Sequence, residues 1–328
     1  MLEINSSNAK QWSRLGSRGV FGQAILSIGE KYQNLMVVSA DLGNSSGLDR
    51  FKKSFPEKFL NIGIAEQNMI GVSAGLAKEG FNVFATSFAP FISMRSAEQI
   101  RMNLGYMQMN VKAVAIGSGI SMAFLGNSHY GLEDAAVMRS IPNLTIVCPA
   151  DCAETVKTVY AAAEFEGPMY IRLTGAVNNP IVNLEDYDFK IGQAIEIKGG
   201  TDINIIANGT MVYESIAASK ILEEKGYSVG ITNMHTIKPL DGRTIDRIIN
   251  KSKIIVTVEE HSIIGGLGGA VAEYMSRIHL KPPHLILGIN DEFLTASDYR
   301  YMLEKYELTG EGIAKNILNY KKEISTHQ

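Results

Sequence analysis

Cysteine is almost missing: Cys148 and Cys152 are the two the chain has. Two cysteines make no disulfide framework, and no third Cys or close pair of His completes a zinc-type ligand set around them. They read as buried thiols of a reducing compartment. An excess of either charge is missing too. Lys and Arg number 31 against 34 Asp and Glu, a net charge of −3, which supplies no electrostatic reason to bind nucleic acid. No apolar run approaches the ~18 residues that suggest a membrane span. The opening MLEINSSNAKQWSRLG lacks the apolar core of a secretory signal. The expected location is the cytoplasm, with no membrane partner. Neither the Gly/Ser-rich loop at 117–134 nor GGLGG at 265–269 fits a dinucleotide fingerprint or a Walker A loop, so no nucleotide site is claimed.

What is present is ordinary globular material, 45% hydrophobic and 20% charged, which excludes a wholly disordered chain. Its 328 residues suggest about two domains, each long enough for its own core. Short β-rich apolar clusters at Leu35–Ala40, Phe81–Thr86, Val111–Gly117, Leu144–Cys148 and Met169–Leu173 predict strands. Helical patterns separate them, at about Val20–Lys31, Glu66–Lys78, Ser93–Tyr106, Leu132–Ser140 and Ala153–Ala163. The polar, acidic stretch Asn178–Lys190, with Pro180, breaks the rhythm and reads as a linker. Strands then resume at Ile203–Ala207, Ser228–Asn233, Lys253–Glu259 and His284–Leu287. Helices are expected at about Val212–Lys225, Gly242–Asn250, Gly266–Ile278 and Ile313–Lys322. No solenoid-length repeat or low-complexity tract appears. The expected fold is α/β: two domains, residues 1–180 and 181–328, each a mainly parallel sheet with helices on both faces.

Ligands of open α/β sheets bind beyond the carboxyl ends of the strands. The polar residues to read are therefore Asp41, the Ala65-Glu66-Gln67 step, Ser87-Phe88, the 117–130 loop and Arg172. Four segments stand out. In NIGIAEQNMIGVSAGLAKEG, Glu66 opens a helix whose Gly71, Ala74 and Gly75 permit close packing on a neighbour. An acid in a first helical turn suits the helix dipole; a buried carboxyl there could instead exchange protons with a ligand. In FATSFAPFISMRSAEQIR, Phe88 and Phe91 are either core aromatics or a platform for a flat ring. In VSADLGNSSG, Asp41, Asn44, Ser45 and Ser46 are either turn formers or donors and acceptors for a polar substrate. In GSGISMAFLGNSHYGLED, His129 ends a long loop and gains weight only from its company.

Taken together, SRGVFGQAI, VSADLGNSSG, NIGIAEQNMIGVSAGLA, FATSFAPF, HYGLEDAAVMRSIPNLTIVCPAD and VTVEEHSIIGGLGGAVAE resemble the transketolase family of thiamine-diphosphate enzymes, in order and spacing along almost the whole chain. The resemblance implies a pyrimidine-binding domain followed by a transketolase C-terminal domain. The Gly-Asp-Gly … Asn motif of the family's diphosphate-binding domain is missing; Asp241-Gly242-Arg243 lacks its context. A separate N-terminal subunit is expected to supply that domain, about 270 residues at ordinary domain sizes, together with the Mg2+ (or Ca2+) that holds the cofactor. The assembly expected is an α2β2 heterotetramer.

Residue by residue, the resemblance makes Glu66 the catalytic glutamate that hydrogen-bonds a ring nitrogen of the cofactor's aminopyrimidine and controls its tautomer. It places Phe88 as the stacking ring, with Phe91, Met94 and Asp41 also at the cofactor. Met94 stands where the family has a third aromatic. Arg18 and Ser45 match residues that contact sugar phosphate, and His129 matches a substrate-site histidine. Three positions depart from the family: a histidine falls at Gly117, a hydroxyl-recognising aspartate at Leu125, and a second phosphate-binding arginine at Gly175. Losing one arginine–phosphate contact costs on the order of 2 kcal/mol. The expected reaction is transfer of a two-carbon ketol unit from a ketose to an aldose, with a non-standard sugar. The second half is expected to hold no catalytic residue, and Glu259, Glu260 and His261 look structural. The β subunit of a 2-oxoacid dehydrogenase decarboxylase component is the enzymatic alternative, and a non-catalytic regulatory subunit the other.

Overall fold

The computed structural model describes residues 2–326. Its first sheet is built from β1 (Leu35–Ser39), β2 (Phe59–Asn61), β3 (Asn82–Phe88), β4 (Val111–Ser118), β5 (Thr145–Val147) and β6 (Met169–Thr174). Helices α1 (Ser6–Ile28), α2 (Asp49–Ser54), α3 (Glu66–Lys78), α4 (Ala97–Gln99), α5 (Asp134–Arg139) and α6 (Cys152–Glu164) flank it. All six strands run parallel, in the order β5-β6-β4-β3-β1-β2. Both faces are covered, so the strands read as unbroken apolar runs rather than alternating ones. In β1, Val37 joins Phe21, Ile25, Phe84 and Val114 under α1 and α6, while Val38 joins Met69, Ile70, Val83 and Leu104 on the other face.

The second sheet contains β7 (Ile195–Lys198), β8 (Ile203–Ala207), β9 (Val229–Asn233), β11 (Ile254–Ser262) and β12 (His284–Ile289), in the order β12-β11-β8-β9-β7. Only β7 in it is antiparallel. Its helices are α7 (Met211–Glu223), α8 (Gly242–Lys251), α9 (Leu267–Met275), α10 (Tyr299–Lys305) and α11 (Gly310–Thr326). No described helix is long and apolar enough to cross a membrane.

Three details differ from the reading of the sequence. The first helix begins at Ser6, not near Val20, because Asn5 caps it by accepting from the Asn8 N–H at 2.9 Å. It is broken once, at Gly16 (φ 81°, ψ 164°). The segment expected as one helix at Ser93–Tyr106 is wound mostly in wide π turns, Phe91–Arg95 and Ile100–Tyr106, around the short α4. Ser93 and Ser96 hydroxyls bond back to the Ala89 and Ile92 carbonyls, which loosens the regular ladder. Third, β10 (Thr236–Lys238) lies beyond the linker yet pairs antiparallel with β5, so residues of the second half complete the first sheet.

The connection of the halves is polar and buried. The Arg172 guanidinium, fully buried, pairs with Asp134 at 2.9 Å and donates to the carbonyls of Gly131 and Glu260. Arg172 is thus a strand-end residue spent on structure. The linker is tied down as well: Asp151 Oδ2 accepts from the Val182 and Asn183 N–H groups at 2.8 and 2.7 Å. Cys148 and Cys152 are free and buried; burial pushes the Cys148 thiol up to about 12 and the Cys152 thiol upward too.

Candidate active site

The chain runs outward from β1 to β2 and returns to β3 on the other side of β1. This reversal makes a crevice at the carboxyl ends of the strands, where ligands of open α/β sheets bind. Asp41 follows β1, Glu66 follows β2, and Phe88 ends β3.

Glu66 is the first residue of α3, where unpaired helical N–H groups favour an anion. Its side chain is 1% exposed, and both oxygens are engaged. The Ser87 hydroxyl donates to Oε1 at 3.1 Å, and Arg95 Nη1 donates to Oε2 at 2.6 Å. Arg95 is half exposed, and its guanidinium carbon lies 4.3 Å from the centre of the Phe91 ring. Phe91 meets Phe88 edge-on at 6.1 Å between centroids, and His129 packs on both rings, at 5.6 Å from Phe88 and 5.2 Å from Phe91. Glu66, Phe88, Phe91 and His129 therefore form one continuous constellation. Met94 sits in the same π turn, half exposed beside Arg95. Irregular turns of this kind are frequent at functional sites.

Asp41 adopts the left-handed conformation, φ 60°. Asn61 at the end of β2 holds it there: the Asp41 N–H donates to Asn61 Oδ1 and Asn61 Nδ2 donates to Asp41 Oδ1, both at 3.0 Å. A non-glycine residue in that region costs energy and is kept where neighbours enforce it. Ser45 lies in the following turn, half-buried; the next residue, Ser46, meets Thr86 of β3 at 3.3 Å. Neither Asp41 nor Ser45 is hydrogen-bonded to Glu66. Arg18 stands apart again, lining a cavity of about 680 Å3 between the halves with Leu125, Asn178, Tyr213 and Arg300.

Two of the departures have a physical basis. Gly117 has φ 67°, and a Cβ there would lie 2.7 Å from the Met122 sulfur, so Met122 takes the space of a side chain at 117. Gly175 has φ 80°, and a Cβ there would lie 2.3 Å from the Asn179 amide nitrogen. An arginine at 175 would need a different backbone. Leu125 is half exposed in the cavity wall.

Reading the sequence alone missed Arg95 and Asn61. Ser87 was singled out with Phe88 at a strand end, though not as a partner of Glu66. Arg95 gave no signal, because a basic residue within a helical pattern reads as solvated.

Comparison with known proteins fits this geometry. The family model of the transketolase pyrimidine binding domain matches residues 14–176, and that of the transketolase C-terminal domain matches residues 192–313. A putative transketolase C-terminal section from Methanocaldococcus jannaschii is 45% identical over 94% of this chain and 96% of its own length. The chain belongs to the transketolase family. One subunit of an apulose-4-phosphate transketolase from Phocaeicola vulgatus is 36% identical over 94% of this chain and 98% of its own. A solved structure of a split-gene transketolase, an inactive beta4 tetramer, superposes with a TM-score of 0.83 at 38% identity, over 92% of this chain and 97% of that one. Transketolases depend on thiamine diphosphate. A buried carboxyl group beside three mutually packed rings suits an aminopyrimidine, which offers a ring nitrogen to the one and a flat face to the others.

Proposed function

We propose that this chain is the C-terminal subunit of a split transketolase that moves a two-carbon ketol unit from a ketose to an aldose, with a non-standard sugar on one side. The pyrimidine-binding part spans residues 1–180 and the C-terminal part 181–328. A separate N-terminal subunit completes the site and holds the diphosphate through Mg2+ or Ca2+, two copies of each chain making the enzyme. Thiamine diphosphate, when bound, supplies the carbanion chemistry. This chain's residues place and protonate. The observation that carries the reading is the fully enclosed Glu66 carboxyl in contact, through Arg95, with the Phe88–Phe91–His129 rings.

In this reading Glu66 would hold the pyrimidine nitrogen through a protonated carboxyl oxygen. Phe88 would stack on the pyrimidine, Phe91 and Met94 would shield it, and Asp41 would lie near it. Arg18, Ser45 and His129 contact the sugar; a guanidinium suits an oxyanion by charge-assisted bonds. The test is co-expression with the candidate N-terminal subunit and an assay of ketol transfer from xylulose 5-phosphate, with this chain alone as control. Thiamine-diphosphate-dependent transfer by the pair alone is expected. Transfer of an acyl group from pyruvate to a lipoyl domain would replace this reading with the oxoacid one, and failure of the pair to bind the cofactor would leave a regulatory subunit.

A further inference from the structure

We propose that Arg300, from the second half, is a specificity-determining residue: with Arg18 it brackets a tetrahedral oxyanion at the far end of the substrate. The inference rests on the transferase reading above and extends it to the half expected to contribute no site residue.

The cavity of about 680 Å3 between the halves has four charged residues in its lining, Arg18, Glu214, Asp298 and Arg300. Three are committed. Asp298 caps α10, its Oδ1 accepting from the Arg300 and Tyr301 N–H groups at 2.9 and 3.3 Å. Glu214 accepts from the Gly310 N–H at 2.8 Å and from Arg300 Nη1 at 3.0 Å. Arg300 also donates Nε to Glu304 at 3.2 Å. These bonds fix the plane of its guanidinium and leave Nη2 without a partner among the described residues. Arg18 is the remaining charge. It has no hydrogen bond or ion pair among the described residues, and burial pulls its guanidinium below the ordinary value. A cation losing hydration without compensation is a cation awaiting an anion.

The walls strengthen the case. Phe124, Leu125 and Leu303 line the same cavity, and apolar surroundings raise the energy of each guanidinium–oxyanion bond. A second cation cannot come from position 175, where the left-handed backbone and Asn179 leave no room. Arg300 lines the same cavity as Arg18, already oriented by Glu214. Two guanidinium groups lining one cavity suit a group with three oxygens, a phosphate or a sulfonate, better than a planar carboxylate.

The test titrates the full chain with inorganic phosphate by calorimetry. Arg18→Gln should abolish binding and Arg300→Gln weaken it at least tenfold. Arg300→Lys, which keeps a charge against Glu214 and so guards the fold, should weaken it about threefold. Competition by ethanesulfonate as strong as by phosphate would mark a sulfonated sugar; phosphate binding that strengthens with rising pH as phosphate takes its second negative charge would mark a phosphorylated one. In the assembled complex, Arg300→Gln should cut the kcat/KM ratio of phosphorylated over neutral aldose at least tenfold. Phosphate binding by Arg300→Gln equal to the parent chain, or an unchanged ratio, overturns the proposal. A complex that transfers ketol from no sugar removes the transferase reading but leaves the phosphate titration to decide the subsite.

Discussion

The two halves share an architecture, a mainly parallel sheet between helices, and each collects polar residues just past its strand ends. They use them in opposite ways. In the first half, Glu66 at the start of α3 is bonded to the Ser87 hydroxyl and to half-exposed Arg95, which stacks on Phe91. In the second half, Glu260 near the end of β11 faces inward. It accepts from the Ile120 N–H at 2.8 Å and from the Thr210 and Tyr299 hydroxyls at 2.7 Å each, and burial raises its carboxyl above the usual range. Its neighbour Glu259 accepts from the Leu267 and Gly268 N–H groups at 2.7 and 2.8 Å and so starts α9. Position at a strand end thus makes a residue available; what its other side touches decides between chemistry and cohesion.

Substitution can break that contrast. Glu66→Gln in the assembled complex should lower ketol-transfer turnover at least about a hundredfold, because an amide cannot pass the proton, with only a modest change in thermal midpoint. Turnover near the parent value would remove Glu66 from its role. Glu260→Gln should behave the other way. Its Oε1 can keep the Ile120 N–H, but its NH2 then faces the Thr210 and Tyr299 hydroxyls that donate to Oε2, which costs about 2 kcal/mol of stability, read as a lower denaturant midpoint.

Acid should separate the halves further. His235, buried between Phe189 and Thr236, is held down to about 4 by burial, from an ordinary value of 6.5. The unfolded chain takes up a proton between those values that the folded chain refuses. The stability from neutral His235 is therefore complete above pH 6.5 and lost as pH falls toward 4, about 2 kcal/mol of it by pH 5. Asp151, raised to about 6 by burial and by Glu154, works in the opposite direction, so the informative quantity is a difference. His235→Gln should flatten the fall in stability between about pH 7 and pH 5 relative to the parent chain; equal slopes would clear His235.

The smallest effect sharpens the contrast at the surface. Gly71 and Gly75 of α3 have nothing within 4 Å of where a Cβ would sit. Among the described residues, nothing packs on that face of α3 at these two positions. Gly71→Leu should leave the thermal midpoint of the isolated chain within a degree or two and weaken its assembly about tenfold, measured by sedimentation.

Much of this was legible beforehand, for identifiable reasons. Strands such as Ile203–Ala207 and the helix Glu66–Lys78 match their expected limits, because an apolar run between polar breaks has one way to be buried. Three-residue β10 was not legible: its pairing with β5 spans about ninety residues of sequence, and nothing local in Thr-Ile-Lys demands it. The site divided along the same line. Glu66, Phe88, Phe91 and His129 were named from local pattern and resemblance, whereas the contact of Arg95 with Glu66 and the cavity shared by Arg18 and Arg300 exist only after folding.

The crossing of β10 carries a lesson for anyone recombining such proteins. A cut in the linker looks like the natural seam, yet it would strip β5 of its outer neighbour and leave a bare strand edge, the kind that recruits other chains. A workable module boundary has to travel with residues 236–238, so in this protein the unit of exchange is not a contiguous stretch of gene.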